Sequence, residues 1–175
     1  LATTKPTERL LVSESLEKIF EIEEHIAAVA SGLLADARIL IDLARVRAQV
    51  HRITYEVPIE VWNLAKVIGD RMQLSTLYAG LRPFGVGFLI GGVDSKGSHV
   101  IELDPSGMMY EWHAFAIGRG ATVANKILKQ KWKPSLSEQE GVKLAREVLS
   151  KSEKDAESGI VEIAVITKEG IKRIS

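Results

Sequence analysis

Residues 85–93 read GVGFLIGGV, and this stretch decides the architecture. Its apolar residues occupy both alternating positions of an extended segment: Val86, Phe88 and Ile90 on one, Leu89 and Val93 on the other. Successive side chains of a strand point to opposite faces of the sheet, so a strand that is apolar at both positions is covered on both faces. The stretch therefore predicts a strand that is buried between two layers.

Two helical patterns precede this strand. After Gly32, apolar residues recur at near-helical spacing and predict a long helix with a narrow inner face: Leu33, Ala37, Ile41, Ala44 and Ala48. Pro58 followed by Glu60 predicts the start of a second helix, because proline has no N–H to leave unpaired in a first turn. Its predicted buried stripe is Val61, Leu64, Ala65, Ile68 and Met72, and Gly80 and Pro83 are predicted to end it.

Short strands flank the helices on both sides. Residues 18–21 and 26–31 predict two strands before the first helix, and residues 99–103 and 109–117 predict two more after the central strand. Near the end of the chain, residues 160–167 and 171–174 predict a hairpin around Glu169-Gly170.

A second pair of helices lies between the meander and this hairpin. Val123, Ile127 and Leu128 mark the first of them. Ser135 followed by Glu138 has the spacing of a capping box and predicts the start of the next, whose predicted inner stripe is Val142, Ala145 and Leu149. Paired helices between antiparallel strands predict an α+β fold of four layers, αββα, and we expect one domain over residues 1–175.

Composition excludes several classes of protein. The 175 residues carry 23 basic and 23 acidic side chains, so no excess of positive charge points to nucleic acid or an anionic membrane. The chain has no cysteine, which excludes disulfides and thiolate metal sites. No apolar run is long enough to span a bilayer, so we expect a cytoplasmic protein.

No residue pattern predicts a metal or cofactor site. The four histidines, His25, His51, His99 and His113, are scattered and lack metal-ligand spacing. Gly118-Arg119-Gly120 is too short for a phosphate-binding loop, and a tight turn before a helix is the better interpretation.

Several segments together resemble subunits of the proteasome core particle, in family order along the whole chain. They are residues 15–20 (SLEKIF), 31–55 (SGLLADARILIDLARVRAQVHRITY), 81–86 (LRPFGV), 91–94 (GGVD), 104–107 (DPSG), 111–112 (EW) and 116–118 (AIG). The pattern is similar to archaeal-like α-type subunits. The resemblance implies a four-layer sandwich of the N-terminal nucleophile (Ntn) hydrolase type.

The family resemblance also bears on the start of the chain. Family α-type subunits begin with a gating tail, a helix and a first core strand, and none of these precedes Leu1. The opening Leu1-Ala2-Thr3-Thr4 reads as if cut inside a strand, so we expect a fragment that lacks those three elements.

The implied function is that of a structural and gating subunit, not a catalyst. Such subunits form the outer ring with neighbouring α-type subunits and rest on β-type subunits. They control the passage of protein substrates into the proteolytic chamber and dock the C-terminal tails of ATPases or other activators. No cofactor, nucleic acid or membrane is implied. Ring size, ring composition and the identity of the activator stay open.

Two alternatives remain. A β-type subunit would be an N-terminal threonine hydrolase, with the mature threonine as nucleophile. Here Thr4 falls where the family has a catalytic carboxylate, and Lys18 falls at its active-site lysine. Asp155 and Ser158 resemble two supporting residues, whereas Arg119 stands where a serine is expected. The second alternative is a free-standing Ntn-fold binding module that never assembles.

The resemblance also implies a binding site. In α-type subunits the lysine that matches Lys18 lies in a pocket between ring neighbours and pairs with the C-terminal carboxylate of an activator, a role that suits a charge-assisted donor. Leu33 matches a residue that lines the same pocket. We therefore expect Lys18 and Leu33 to form an activator pocket.

Overall fold

The structure is a computed structural model, and it describes residues 1–5, 10, 12, 15–152 and 160–174. Its strands form two antiparallel sheets. In sheet order, the five-stranded sheet contains β2 (Ile19–Glu23), β3 (Ile26–Gly32), β4 (Val86–Asp94), β5 (Gly97–Leu103) and β6 (Met109–Glu111). The three-stranded sheet contains β1 (Ala2–Lys5), β7 (Ile160–Thr167) and β8 (Gly170–Ile174).

The helices form an outer layer on each side of the paired sheets. Two helices, α1 (Leu34–Tyr55) and α2 (Val61–Leu74), pack on the five-stranded sheet. Of the other two, α3 (Ala121–Lys131) and α4 (Glu138–Ser152), α4 packs on β1 and β7. β4 and β2 contact β7 across the middle of the molecule. The predicted four-layer αββα sandwich is therefore confirmed.

Strand β4 lies at the centre, as its double apolar pattern predicts. Phe88 and Ile90 are fully buried in the large core between the five-stranded sheet and α1 and α2. On the opposite face, a Cβ built at Gly91 would lie 3.2 Å from side-chain atoms of Leu1 and Ile166. The glycine lets the smaller sheet approach closely at this point.

Helix α1 packs through small and branched residues. Its buried face consists of Asp36, Ala37, Leu40, Ile41, Ala44 and Ala48. The helix ends at Glu56, which has a left-handed conformation (φ 58°) and donates its N–H to Arg52 O. The prediction that Leu33 belongs to the inner stripe is wrong. Leu33 is the N-cap residue, and 54% of it is exposed.

Three predicted boundaries differ from the structure: the start of α2, the end of α2 and the end of β6. Helix α2 begins at Val61 and ends at Leu74, before the predicted stop signals at Gly80 and Pro83. Strand β6 ends at Glu111, so residues 112–117 do not extend it. The chain leaves the sheet after Glu111 and turns at Gly118, which has a φ of 99°, before α3 begins at Ala121.

The capping box of α4 lies two residues later than predicted. Ser137, not Ser135, pairs with a glutamate: its N–H donates to Glu140 Oε2 at 2.8 Å, and Glu140 N–H donates to Ser137 Oγ at 3.4 Å. The sequence SLSEQE contains the Ser-x-x-Glu spacing twice, and the register that precedes the observed helix is the one that forms.

The second helical pair is also less buried than predicted. Val123 is 48% exposed, and the predicted stripe of α4 is only half-buried. Among the residues described in these helices, the buried ones are Ala124 and Val148. These helices therefore cover the smaller sheet loosely and leave space beneath them.

Candidate functional site

A cleft of about 830 Å³ lies between the two sheets and under α3 and α4. Val29 and Leu89 line it from the larger sheet, Ala164 and Ile166 from the smaller sheet, and Leu128 from α3. Its walls are mostly apolar. Several polar side chains also reach it, among them Lys18, His99 and Arg119.

Lys18 is one of those polar groups. It lies directly before β2 and is half-buried, and its Nζ donates to Thr4 O on β1 at 2.7 Å. The contact therefore ties the larger sheet to the edge of the smaller one. An ammonium group has three donors, so this hydrogen bond leaves donor capacity at Nζ.

Leu33 lies outside the cleft. Gly32 and Leu34 on either side of it line the cleft, but Leu33 does not. Its N–H donates to Gly85 O at 2.8 Å, and its Cδ1 lies 2.7 Å from the position that a Cβ of Gly85 would take. Within one chain, the two predicted pocket residues therefore belong to different surfaces.

An ion pair that sequence reasoning missed fixes this region. Arg82 donates to both carboxylate oxygens of Asp36, Nη1 to Oδ2 at 2.7 Å and Nη2 to Oδ1 at 2.8 Å. Gly85 N–H donates to Asp36 Oδ2 at 2.8 Å. The hydrogen bond from Arg82, followed by that from Gly85, lowers the pKa of Asp36 to about 2. Asp36 thus ties the first turn of α1 to the segment that supports Leu33.

Sequence reasoning also missed an apolar seam on the outer face of α1. Its members are separated by four, three, four and three residues: Ile39, Leu43, Val46, Val50 and Ile53. Leu43 is half-buried, and the other four are exposed. Alternating spacings of three and four residues are those of a helix that packs against another helix. The pattern could have been found in the sequence, because its spacing is regular and it lies on the face of the helix away from the Ala-rich stripe.

Of the residues that resemble parts of a β-type active site, the structure brings three close to the cleft: Lys18 and Arg119 line it, and Lys18 contacts Thr4. Thr3 lines the cleft, but Thr4 is buried, and Lys18 donates to a main-chain carbonyl. Asp155 and Ser158 lie outside the described residues. Arg119 lines the cleft at the turn before α3, where the family's serine is expected.

The described part of the chain contains neither a cluster of metal ligands nor a membrane-spanning helix. No group of three or more histidine, cysteine, aspartate or glutamate residues there could hold a metal ion. None of the helices described is both long enough and apolar enough to cross a membrane.

The layer order and the family match together give the class: an α+β sandwich of the Ntn-hydrolase type. The chain belongs to the proteasome subunit family, whose model, described as "Proteasome subunit", matches residues 1–166.

Relatives within the family are similar over nearly the whole chain. It is 44% identical over 161 residues to a protein of Thermococcus sibiricus named "Proteasome subunit alpha", covering 92% of the chain and 62% of that protein. Proteins of the same name share 45% identity in Methanococcus vannielii, over 94% of the chain and 63% of the relative, and 41% in Methanopyrus kandleri, over 96% and 69%. The chain thus spans about three fifths to two thirds of the length of these relatives.

Proposed function

We propose that this chain is part of a structural and gating subunit of the outer ring of the proteasome core particle. It would form the ring with neighbouring α-type subunits, rest on β-type subunits and control the passage of protein substrates in the cytoplasm. It would not hydrolyse peptides itself. The observation that carries the proposal is 41–45% identity, over at least nine tenths of the chain, to proteins named proteasome subunit alpha.

The site chemistry supports a non-catalytic role. Thr4 supplies a hydroxyl where the β-type site uses a carboxylate, and a hydroxyl does not bear a negative charge at neutral pH. The group that accepts from Lys18 Nζ is the neutral main-chain carbonyl of Thr4, and the Thr4 side chain offers no carboxylate to it. The β-type alternative is therefore not favoured.

The seam of α1 supports assembly over the alternative of a free-standing module. Exposed apolar residues in a continuous patch mark interaction sites on soluble proteins. The four exposed members, Ile39, Val46, Val50 and Ile53, lie on one face of a 22-residue helix. Their spacing fits a helix of a neighbouring subunit.

We further propose that Lys18 and Leu33 belong to a pocket that receives the C-terminal tail of an activator. Lys18 keeps donor capacity for a carboxylate, and Leu33 offers an exposed apolar contact. In the family the pocket lies between ring neighbours, so the two residues need not line one cavity of a single subunit.

The native mass of the assembled particle tests the ring. The protein that carries this chain is purified with and without a β-type subunit of the same source, and the mass is measured by native mass spectrometry. We expect a closed ring and, with the β-type subunit, stacked rings. A protein that stays monomeric at high concentration under both conditions would contradict the proposed function and support a free-standing module.

A further inference from the structure

The connection between α1 and α2 is held by histidines. His51 Nδ1 lies 3.1 Å from Val57 O, and His25 Nε2 lies 2.9 Å from Ile59 O. A carbonyl oxygen only accepts hydrogen bonds, so both ring nitrogens carry a hydrogen and donate. These two contacts exist in the neutral and in the protonated imidazole.

A third histidine, His99, is connected to Val61 through the carboxylate of Asp94. The N–H of Val61, the first residue of α2, donates to Asp94 Oδ2 at 3.0 Å. Asp94 Oδ1 accepts from Lys96 N–H at 2.8 Å and lies 3.1 Å from His99 Nε2. Asp94 therefore connects the start of α2 to the end of β4 and to β5.

His99 lies between two carboxylates. Its other ring nitrogen, Nδ1, is 2.6 Å from Glu111 Oε1 on β6. A carboxylate only accepts hydrogen bonds, and a neutral imidazole has one N–H. Both contacts can be hydrogen bonds at the same time only when His99 is an imidazolium ion.

The electrostatic setting of His99 agrees with this geometry. Burial lowers the pKa of His99, but the hydrogen bonds that His99 donates to Glu111 and Asp94, together with the charges of these two carboxylates, outweigh it and raise the pKa above 6.5. Burial also raises the pKa of Asp94, but the N–H groups of Val61 and Lys96 and the contact with His99 outweigh it, and the pKa is lowered. Asp94 thus stays ionised.

Two charged pairs lie near this site, and Lys18, Arg119 and Glu138 line the same cleft as His99. From the β4–β5 turn, Lys96 Nζ donates at 2.7 Å to Glu60 Oε2, at the N-cap of α2. On the side of His25, Glu23 accepts from Arg52 at 2.7 Å. The ion pairs of His99 among the described residues are those with Asp94 and Glu111.

We propose that Asp94, His99 and Glu111 form a proton-dependent clasp, which holds the start of α2 and strand β6 together and opens when His99 loses its proton. A neutral ring keeps one hydrogen bond and presents a lone pair to the other carboxylate. Either Glu111 or Asp94 then loses the hydrogen bond from His99, and Asp94 is the group that also accepts Val61 N–H.

The sign of the pH dependence follows from linkage. A group whose pKa is raised in the folded state contributes its full stabilisation below its unfolded pKa, here 6.5, and loses it as the pH rises through the folded pKa. The lowered pKa of Asp94 adds a contribution that is lost at acid pH. The clasp is therefore closed between the acid range in which Asp94 titrates and pH 6.5, and it opens as the pH rises through the folded-state pKa of His99.

Hydrogen exchange of residues 57–64, measured by mass spectrometry and corrected for the intrinsic effect of pH, tests the clasp. We expect protection to fall between about pH 6 and pH 9 by about tenfold for each unit by which the pKa of His99 is raised. His99→Arg keeps a permanent cation with several donors, so protection should persist at both pH values. His99→Gln should show weak protection at both.

His113→Gln is the matched control, since His113 stacks on Trp132, outside the clasp. It should behave as the wild type. A second measurement needs no variant: in a nuclear magnetic resonance titration, the ring of His99 should titrate above 6.5 and the amide of Val61 should shift with the same midpoint. A midpoint at or below 6.5, or protection of residues 57–64 that does not depend on pH in the wild type, would overturn the proposal.

Discussion

Asp36 and Arg82 are 46 residues apart and form a bidentate ion pair, with N–O distances of 2.7 and 2.8 Å. Asp36 lies in the first turn of α1 and is 6% exposed, whereas Arg82 precedes β4 and its side chain is 64% exposed. The same carboxylate accepts Gly85 N–H. One buried carboxylate thus joins the start of the long helix to the start of the central strand.

Replacing Asp36 should destabilise the fold at neutral pH. Asp36→Ala leaves Gly85 N–H without its acceptor, a loss that typically costs about 1–3 kcal/mol. The free energy of unfolding, measured in urea at pH 7, should fall accordingly. Asp42→Ala is the matched control on the same helix, because the Asp42 side chain is 74% exposed and its contact with Arg45 is long, at 3.4 Å. An equal effect of both substitutions would contradict this account.

The effect of Asp36 should also depend on pH. Its folded-state pKa of about 2 is depressed below the usual value of 3.8, so its stabilisation is complete above pH 3.8 and is lost as the pH falls through about 2. The difference in unfolding free energy between the wild type and Asp36→Asn should therefore shrink between these two pH values. A constant difference over that range would show that the charge of Asp36 does not contribute.

The start of α4 provides a test between two registers of the same motif. Ser137→Ala removes the observed N-cap side chain and should cost about 1 kcal/mol, whereas Ser135→Ala should be close to neutral. Thermal unfolding of the two variants against the wild type measures both effects. A larger loss for Ser135→Ala would favour the register that was predicted from sequence.

The difference between these two serines shows how far the sequence determines the fold. The double apolar pattern of β4 is a strong signal, because only burial on two faces explains it, and it predicted the central layer. The capping motif occurs twice in six residues, and local spacing does not distinguish the two copies. The ion pair of Asp36 and Arg82 was not predictable, because it depends on a contact between residues 46 positions apart. The pocket role of Lys18 and Leu33 was predicted only by family resemblance, since no residue pattern points to that role, and it stays a prediction.

Charge in the seam of α1 should weaken assembly without unfolding the subunit. Val50→Glu places a carboxylate in the middle of the seam, where docking would bury it without a partner. We expect the native mass to shift toward smaller species, with little change in thermal unfolding, since Val50 is 49% exposed. Gln49→Glu adds the same charge beside the seam and should leave assembly intact. Assembly that tolerates Val50→Glu would remove the seam from the proposed interface.

The purified protein should not hydrolyse peptides by itself. Thr4 stands where the β-type site is expected to have a carboxylate, and Lys18 Nζ donates to the neutral carbonyl of Thr4. Release of a fluorogenic group from peptide substrates measures this directly. Turnover that a threonine-directed covalent inhibitor abolishes would contradict the prediction and favour the β-type alternative.

Lys18→Ala in the assembled ring should abolish activator docking. Loss of one partner of a charge-assisted hydrogen bond typically costs about 1.5–3 kcal/mol, or roughly tenfold to a hundredfold in affinity for each site. An activator that inserts several tails loses this binding free energy at every tail, so the complex should dissociate. Pull-down of an activator by wild-type and mutant rings measures the effect. Lys18→Arg should restore binding only in part, because the planar guanidinium has a different geometry.

The same substitution has a structural consequence that must be separated from docking. Lys18 Nζ also donates to Thr4 O, so Lys18→Ala removes one link between the sheets, a net effect of about 0.5–1.5 kcal/mol. Thermal melts measure this loss. Lys5→Ala is a matched control, because it removes the Lys5–Glu162 ion pair within the smaller sheet and leaves Lys18 in place. If rings with Lys18→Ala bind the activator as tightly as the wild type while their melting temperature falls, Lys18 has a structural role and the pocket assignment is wrong.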